Sequence, residues 1–219
     1  MISIIIRTYN NETFLQKAVE SALRQEHPDF EVIAINDGST DNTANILHSL
    51  NDSRLKVFHQ KNKGMIEAGY QGLQKAQGEY VIFVDGDDEA LPNMLTELQQ
   101  VLSQHPETSF AYGDYDELDL TTGKKKEVSC KNIFNTLACG ILFKKKILEK
   151  IGFWEKGMIF PEYDLLIRML KEHKGVHVAK PLYIYRRHLH SFTADKKRVE
   201  EGKKELEVKY GPIPGFKEY

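Results

Sequence analysis

The first ninety residues constrain the fold most, because short apolar runs alternate there with longer amphipathic stretches. Residues 2–6, 30–35, 55–59 and 80–84 read as strands. Between them, Phe14, Leu15, Ala18, Val19, Ala22 and Leu23 recur at helical spacing within residues 11–25. Ser39 or Thr40 can cap a second helix reaching about residue 50, and residues 65–76 form a third. Near-continuous apolar strands are buried on both faces, which points to an α/β fold with a mostly parallel, Rossmann-like sheet flanked by helices. Ligands in such sheets sit outside the carboxyl ends of the strands. Polar clusters fall at three of those ends, in residues 7–11, 36–41 and 85–88.

The pattern changes after residue 105. Residues 110–120 alternate as an edge or antiparallel strand, 121–124 make a turn, and 139–143 form a short strand followed by a helix over 144–151. A helix over 162–172 carries Leu166, Met169 and Leu170 as its apolar stripe. Residues 176–186 read as a strand that Pro181 interrupts, which places it near an edge, and 193–209 as a charged helix. The second half thus supplies a small antiparallel element, and the whole of 1–219 reads as one globular unit.

Composition excludes several classes. A net charge of −2 and a pI near 6.5 give no electrostatic case for nucleic-acid binding. Cys130 and Cys139, without a CxxC pair, make no structural zinc site and read as free buried thiols. The apolar N-terminal run is too short for a membrane span and has no basic leader, and no segment approaches the ~20 apolar residues of a span. The expectation is a cytoplasmic protein. The basic runs 124–126, 144–146 and 196–198 are either solvated faces or weak contacts with the anionic inner face of a membrane.

The most specific local signal is Val81-Ile-Phe-Val-Asp-Gly-Asp-Asp88, a strand ending in three carboxylates within four residues. An acidic turn leading into a helix near Leu91-Pro92 is one reading. The other is a site for Mn²⁺ or Mg²⁺, which relieves the repulsion and bridges the carboxylates to phosphates.

Several segments in order resemble the family-2 glycosyltransferases, whose fold is GT-A: Ile4-Ile-Ile-Arg-Thr-Tyr-Asn10, Phe30 to Thr43, Asn62-Lys-Gly64, Gly78 to Asp88, Phe160-Pro-Glu-Tyr-Asp-Leu165 and Pro181 to His188. The resemblance implies an inverting transfer of sugar from a nucleoside-diphosphate donor, UDP being commonest, to a hydroxyl acceptor that is lipid-linked or a polysaccharide. It divides the GT-A domain into a nucleotide-sugar-binding half (1–105), an acceptor-side half (106–192) and a charged C-terminal helix and tail (193–219). Thr8 and Tyr9 would lie against the base, and Asp37 would accept its imide N–H. Asp85 and Asp87 are the DxD pair, with Asp87 on the metal and Asp85 facing the ribose or the metal's water shell. Gly86 would let the diphosphate approach the backbone, Asp88 would orient the turn, and His188 would close the metal site. Glu162 stands where the base carboxylate is expected, with Asp164 the runner-up.

Each residue also has an ordinary reading. Tyr9 can cover the sheet end, Asp37 can bond Ser39 or Thr40 in an Asx turn, and Glu162 and Asp164 can stabilise the first turn of a helix that Pro161 begins. The chain also departs from the family pattern. Arg7 replaces a small residue or Pro, Pro161 replaces an acid, and Ala68-Gly-Tyr70 replaces a frequent Ala-Arg-Asn, a lost cation for which Lys63 could compensate. A non-catalytic nucleotide-sugar binding module therefore stands as the alternative. A sugar-phosphate nucleotidyltransferase and a dinucleotide dehydrogenase each need a glycine-rich loop after the first strand, and residues 7–11 hold no glycine.

Overall fold

The computed structural model describes residues 1–137 and 139–213. Its strands are β1 (Ile2–Thr8), β2 (Phe30–Asn36), β3 (Leu55–His59), β4 (Tyr80–Asp85), β5 (Glu89–Ala90), β6 (Phe110–Asp119), β7 (Lys125–Val128), β8 (Ile141–Lys144) and β9 (Gly175–Arg187). Its helices are α1 (Leu15–Leu23), α2 (Thr43–Ser49), α3 (Met65–Lys75), α4 (Met94–Gln104), α5 (Lys145–Ile151), α6 (Pro161–Leu170) and α7 (Lys196–Tyr210).

The strands form one mixed sheet in the order β3-β2-β1-β4-β8-β6-β9-β5, with β7 paired to β6. The first four strands are mutually parallel, as their apolar sequences require. Every residue of β1 and of β2 is buried, because helices close both faces. Leu15, Ala18, Val19 and Ala22 of α1, and Ala68 and Leu73 of α3, supply much of that cover. Each such aliphatic side chain contributes roughly 1.5–3 kcal/mol when it leaves water. Because β2 and β4 lie on opposite sides of β1, the strand order reverses at its carboxyl end and a crevice opens there. Register sets Thr8 beside Asn36 and Arg7 beside Asp85, so two of the three polar clusters flank β1.

The second half differs from the sequence reading in several places. β6 takes the antiparallel alternative, pairing antiparallel with β8 and β7, and it also pairs parallel with β9, which the sequence did not indicate. Pro181 lies near the sheet edge as expected, because beyond β9 there is only the two-residue β5, which pairs with Tyr183 and Ile184. It sits where the β6–β9 register shifts, opposite Asp114, and a bulge tolerates a residue with no N–H to donate. The two-residue β5 and the β7 half of a hairpin are too short and polar to have stood out. Neither Ser39 nor Thr40 caps α2, which begins at Thr43 after Asn42. Cys130 and Cys139 are both buried thiols, as expected. Among the described residues no helix is long and apolar enough to cross a membrane. The tail beyond residue 213 lies outside the described residues.

Candidate active site

The carboxyl ends of β1, β2 and β4 open into a cleft of about 540 Å³, within the usual range for small-molecule sites. Thr8, Tyr9, Asp37, Asp85, Gly86, Asp87 and His188 all line it, so every residue read from the sequence as a nucleotide, sugar or metal ligand converges here. A cavity of about 80 Å³ shares Met65, Asp85 and Phe192 with the cleft and holds Glu162. Asp164 lines neither.

At the β2 end, the Asp37 carboxylate does not make the Asx turn with Ser39 or Thr40. Asn36 does that, its Oδ1 accepting from Ser39 N at 3.0 Å. Asp37 Oδ1 accepts from Gln60 Nε2 (2.6 Å) and Lys63 N (2.9 Å), and Oδ2 from Gly64 N (2.8 Å). A carboxylate accepts about four hydrogen bonds, so one position on Oδ2 remains for a ligand. Asp37→Ala is expected to weaken nucleotide binding by about 1.5–3 kcal/mol in calorimetry, with or without metal, since a bond to a charged group is lost. An unchanged affinity would leave Asp37 only its loop-holding role.

Tyr9 does not cover the sheet; it is 48% exposed at the cleft. The turn beyond it is held in shape by Asn10, whose left-handed φ of 49° is rare outside glycine and asparagine. Asn10 N donates to Ser39 Oγ at 3.0 Å, and Asn10 Oδ1 accepts from Thr40 N at 2.8 Å. The two residues expected to cap α2 therefore fasten the β1 and β2 loops together. A Cβ on Gly86 would come within 3.0 Å of Thr8 Oγ1 and Asn11 Nδ2, so glycine is needed here for close packing against β1's loop.

The three carboxylates after β4 have separate surroundings. Asp85 accepts from the buried guanidinium of Arg7, and its N–H donates to Tyr183 Oη at 3.1 Å. Asp87 Oδ2 lies 3.1 Å from His188 Nε2 at the cleft. Asp88 is buried, accepting from Tyr183 Oη at 2.9 Å and from Arg186 N at 2.9 Å. Burial, then the charges of Asp87 and Asp85, push its carboxyl well above the usual range, so it serves as the internal brace of this turn.

His188 is largely enclosed, and its ring stacks on Phe14 at 4.8 Å. Its Nδ1 accepts from His190 N at 3.2 Å, which leaves Nε2 directed at Asp87. Among the described residues no group of three or more histidine, cysteine or acidic side chains is disposed around one ion. Asp87 nonetheless fits an ion that keeps its other positions for phosphate and water, as Mn²⁺ and Mg²⁺ do at diphosphates, and His188 would join it once its proton moves from Nε2 to Nδ1. Asp85 is less available, because Arg7 already holds it.

α6 carries the two candidate bases in contrasting environments. Burial pushes the Glu162 carboxyl up to about 7, although Arg7's charge acts in the opposite sense. Its Oε2 is buried without a partner in the protein. Asp164 is fully buried and accepts from Arg168 Nε (2.8 Å), Lys209 Nζ (2.8 Å) and Tyr210 Oη (2.5 Å). Burial opposes its ionisation, but those bonds outweigh it and hold the carboxyl below its usual value. Asp164 ties α7 to α6.

Buried polar groups are normally satisfied, and exceptions mark places where something else completes them. Among the described residues, Arg7 Nε, Arg7 Nη1, Thr8 Oγ1 and Glu162 Oε2 are such exceptions at the cleft or its side cavity, and His173 Nε2 is one away from it.

Some cleft residues had no individual sequence signal. Arg198, read as part of a basic run, stacks on Phe192 at 3.9 Å, and both line the cleft. Trp154 supports Arg7 from a segment without a motif. Lys63 lines a separate cavity with Phe58, His59 and Lys75, and its backbone N–H holds Asp37, while Arg7 reaches Asp85.

A sheet whose parallel strands reverse at β1 and continue into antiparallel ones is the architecture of the GT-A fold. The family model for glycosyl transferase family 2 matches residues 3–138, and the chain belongs to that family. It is 32% identical over 214 residues to glycosyltransferase GlyG of Streptococcus pneumoniae, covering 85% of this chain and 71% of that one. It is 31% identical over 200 residues to the GalNAc(5)-diNAcBac-PP-undecaprenol beta-1,3-glucosyltransferase of Campylobacter jejuni, covering 84% of this chain and 64% of that enzyme. In fold it resembles S. aureus TarS 1-349 in complex with UDP-GlcNAc, with a TM-score of 0.75, 23% identity, and 94% and 65% of the respective chains covered. It also resembles the mannosyltransferase PcManGT from Pyrobaculum calidifontis in complex with GDP-Man and Mn2+, with a TM-score of 0.74, 15% identity, and 97% and 65% covered. The chain thus spans just under two thirds of the Campylobacter enzyme and of both structures.

Proposed function

We propose that this chain transfers one sugar, with inversion, from a nucleoside-diphosphate sugar to a hydroxyl acceptor, with Glu162 as the base. The observation that carries the reading is Glu162 itself. It is a carboxyl titrating at about 7, with an unpartnered Oε2, in a cavity that shares Asp85 with the donor cleft. A base whose pKa lies near working pH combines a large ionised fraction with real affinity for the proton.

The division of labour follows from position. Tyr9 and Asp37, on the β1 and β2 loops, take the base of the nucleotide, and residues 1–105 supply the donor side. Asp87 and His188 would hold a divalent ion, which when bound neutralises charge on the leaving diphosphate. Glu162 Oε2 accepts the proton of the acceptor hydroxyl as that oxygen attacks the sugar's anomeric carbon. The donor nucleotide in this reading is UDP, as in the UDP-GlcNAc complex of TarS, with GDP the competing choice because the comparably similar PcManGT is in complex with GDP-Man. A lipid-linked acceptor, at the cytoplasmic face of a membrane, is supported by the similarity to an undecaprenol-linked glucosyltransferase.

The test is a binding and turnover screen of nucleotide sugars with Mn²⁺, Mg²⁺ or EDTA. Specific donors should raise the melting temperature by mass action, and donor consumption should require an acceptor. Asp87→Ala is expected to abolish metal-dependent donor binding at an unchanged melting temperature, since Asp87's carboxylate meets His188 rather than the core. Donor binding by Asp87→Ala as tight and as metal-responsive as wild type refutes the metal assignment.

A further inference from the structure

Arg7 is an unusual object to find under a sheet. Its side chain is 3% exposed, its guanidinium lies 4.4 Å from the Trp154 ring and 5.6 Å from that of Phe83, and Nη2 donates to Asp85. Burial alone would favour its neutral form, but the Asp85 charge outweighs that and keeps it a fixed cation. A charge is costly to bury unless it is paired, and a structural ion pair here has no evident advantage over an apolar side chain.

The surroundings are built to hold this cation. Trp154 stacks on Phe153 at 4.3 Å, and Phe153 stacks on Phe83 at 5.2 Å, giving a layered aromatic wall. α3 leaves space for that wall, because a Cβ on Gly69 would come within 2.6 Å of the Trp154 ring. The flat guanidinium face rests on the wall while its edge meets Asp85, a geometry that lysine cannot copy. On its other side Asp85 lines both the donor cleft and the cavity of Glu162. The ionisable groups facing that cavity are Asp85 and Asp88 from the end of β4, Tyr185 from β9 and Glu162 from α6. Without Arg7, Asp85 and an ionised Glu162 would face each other uncompensated.

We propose that Arg7 is a positioning residue for transfer: braced on Trp154, it fixes the Asp85 carboxylate toward the donor and neutralises it beside Glu162. The inference rests on the reading of Glu162 as base. It assigns Arg7, Gly69 and Trp154 to one device, in which the aromatic wall orients a cation and the cation orients a carboxylate.

The sequence holds one tryptophan, so Trp154 emission reports directly on this contact. The experiment compares wild type, Arg7→Met, Arg7→Lys, Glu162→Gln and Arg7→Met/Glu162→Gln. UDP with Mn²⁺ is the binding probe and UDP-GlcNAc consumption the turnover readout, replaced by whichever nucleotide sugar is turned over. In wild type, UDP should change Trp154 emission; in Arg7→Met that response should vanish, with the UDP dissociation constant rising about tenfold. Turnover of Arg7→Met should fall on the order of 10–100-fold, and the double variant should be no slower than Glu162→Gln alone, the non-additivity of residues that act as a unit. Arg7→Lys keeps the buried charge, and with it the fold, but lacks the planar guanidinium that lies over Trp154. It should bind UDP within about threefold of wild type and turn over about tenfold more slowly.

Wild-type turnover and emission response in Arg7→Lys, or fully multiplicative losses in the double variant, would overturn the proposal. A purely structural Arg7 would lower the melting temperature and leave turnover per folded molecule unchanged. Failure of the base reading has a different signature: Glu162→Gln alone would then retain full turnover, whatever Arg7→Met does to UDP binding.

Discussion

Glu162→Gln should lower transfer about 10²–10⁴-fold, the usual worth of a positioned base, while donor affinity barely changes. The same substitution should also make the protein more stable above pH 7, and this pairing separates a base from a helix-stabilising glutamate. Burial raises the Glu162 carboxyl from its ordinary 4.5 to about 7. Below pH 4.5 it is protonated both folded and unfolded, and contributes nothing to pH dependence. As pH rises from 4.5 to 7 the unfolded chain ionises first, so stability falls across that window and the loss is complete above about 7. At roughly 1.4 kcal/mol per pH interval the loss is about 3 kcal/mol, and glutamine avoids it. Wild-type turnover should rise through an apparent pKa near 7, a step that Glu162→Gln lacks. Denaturant melts at pH 5 and pH 8 provide the check. A variant that loses stability at pH 8 and keeps its turnover would make Glu162 an ordinary first-turn acid favoured by the helix dipole.

How far the site was legible depended on what kind of signal each residue carried. The parallel half declared itself because β1, β2 and β4 are buried on both faces and so have continuous apolar sequences. Asp37, Asp85 and Asp87 were legible because they end such strands, where a polar residue is conspicuous. β6 was legible as an antiparallel strand and β9 as one near the edge, but their parallel pairing with each other, and the register shift opposite Pro181, join segments far apart in the chain and have no local signal. Arg7 was noticed only as a departure. That its partner is Asp85 follows from β1–β4 register, but that Trp154 supports it depends on a contact across 147 positions of chain, which no local pattern encodes. Ser39 and Thr40 looked like caps, since short hydroxyl residues before a helix normally are. Tertiary bonds to Asn10 took them instead.

Asp164 is the control for the whole catalytic reading, and its own substitution should have the largest structural effect. It is fully buried on α6 and receives Arg168 from its own helix and Lys209 and Tyr210 from the end of α7. Asp164→Ala leaves those donors facing a void. Breaking a buried pair costs about 3–5 kcal/mol, and the partial exposure of Arg168 and Lys209 sets the expectation near the lower end, about 3 kcal/mol. For a chain of this length that is a fall of roughly 6–12 °C in melting temperature, with α7 the segment that loses hydrogen-exchange protection first. The sign of the pH dependence is opposite to that of Glu162. A depressed carboxyl stabilises the fold above its ordinary value of 3.8, and this contribution disappears as pH falls through the lower folded value. The wild type should therefore lose the α7 contact in acid, and Asp164→Ala should show no such step. Asp164→Asn keeps the shape and removes the charge, so it tests chemistry at smaller structural cost. A carboxylate held ionised by three donors has little affinity for another proton, and folded Asp164→Asn should retain transfer. If it is inert while Glu162→Gln is active, the base lies one helical step from where its chemistry points. If neither substitution slows transfer, the site binds nucleotide sugar without catalysing its use through α6.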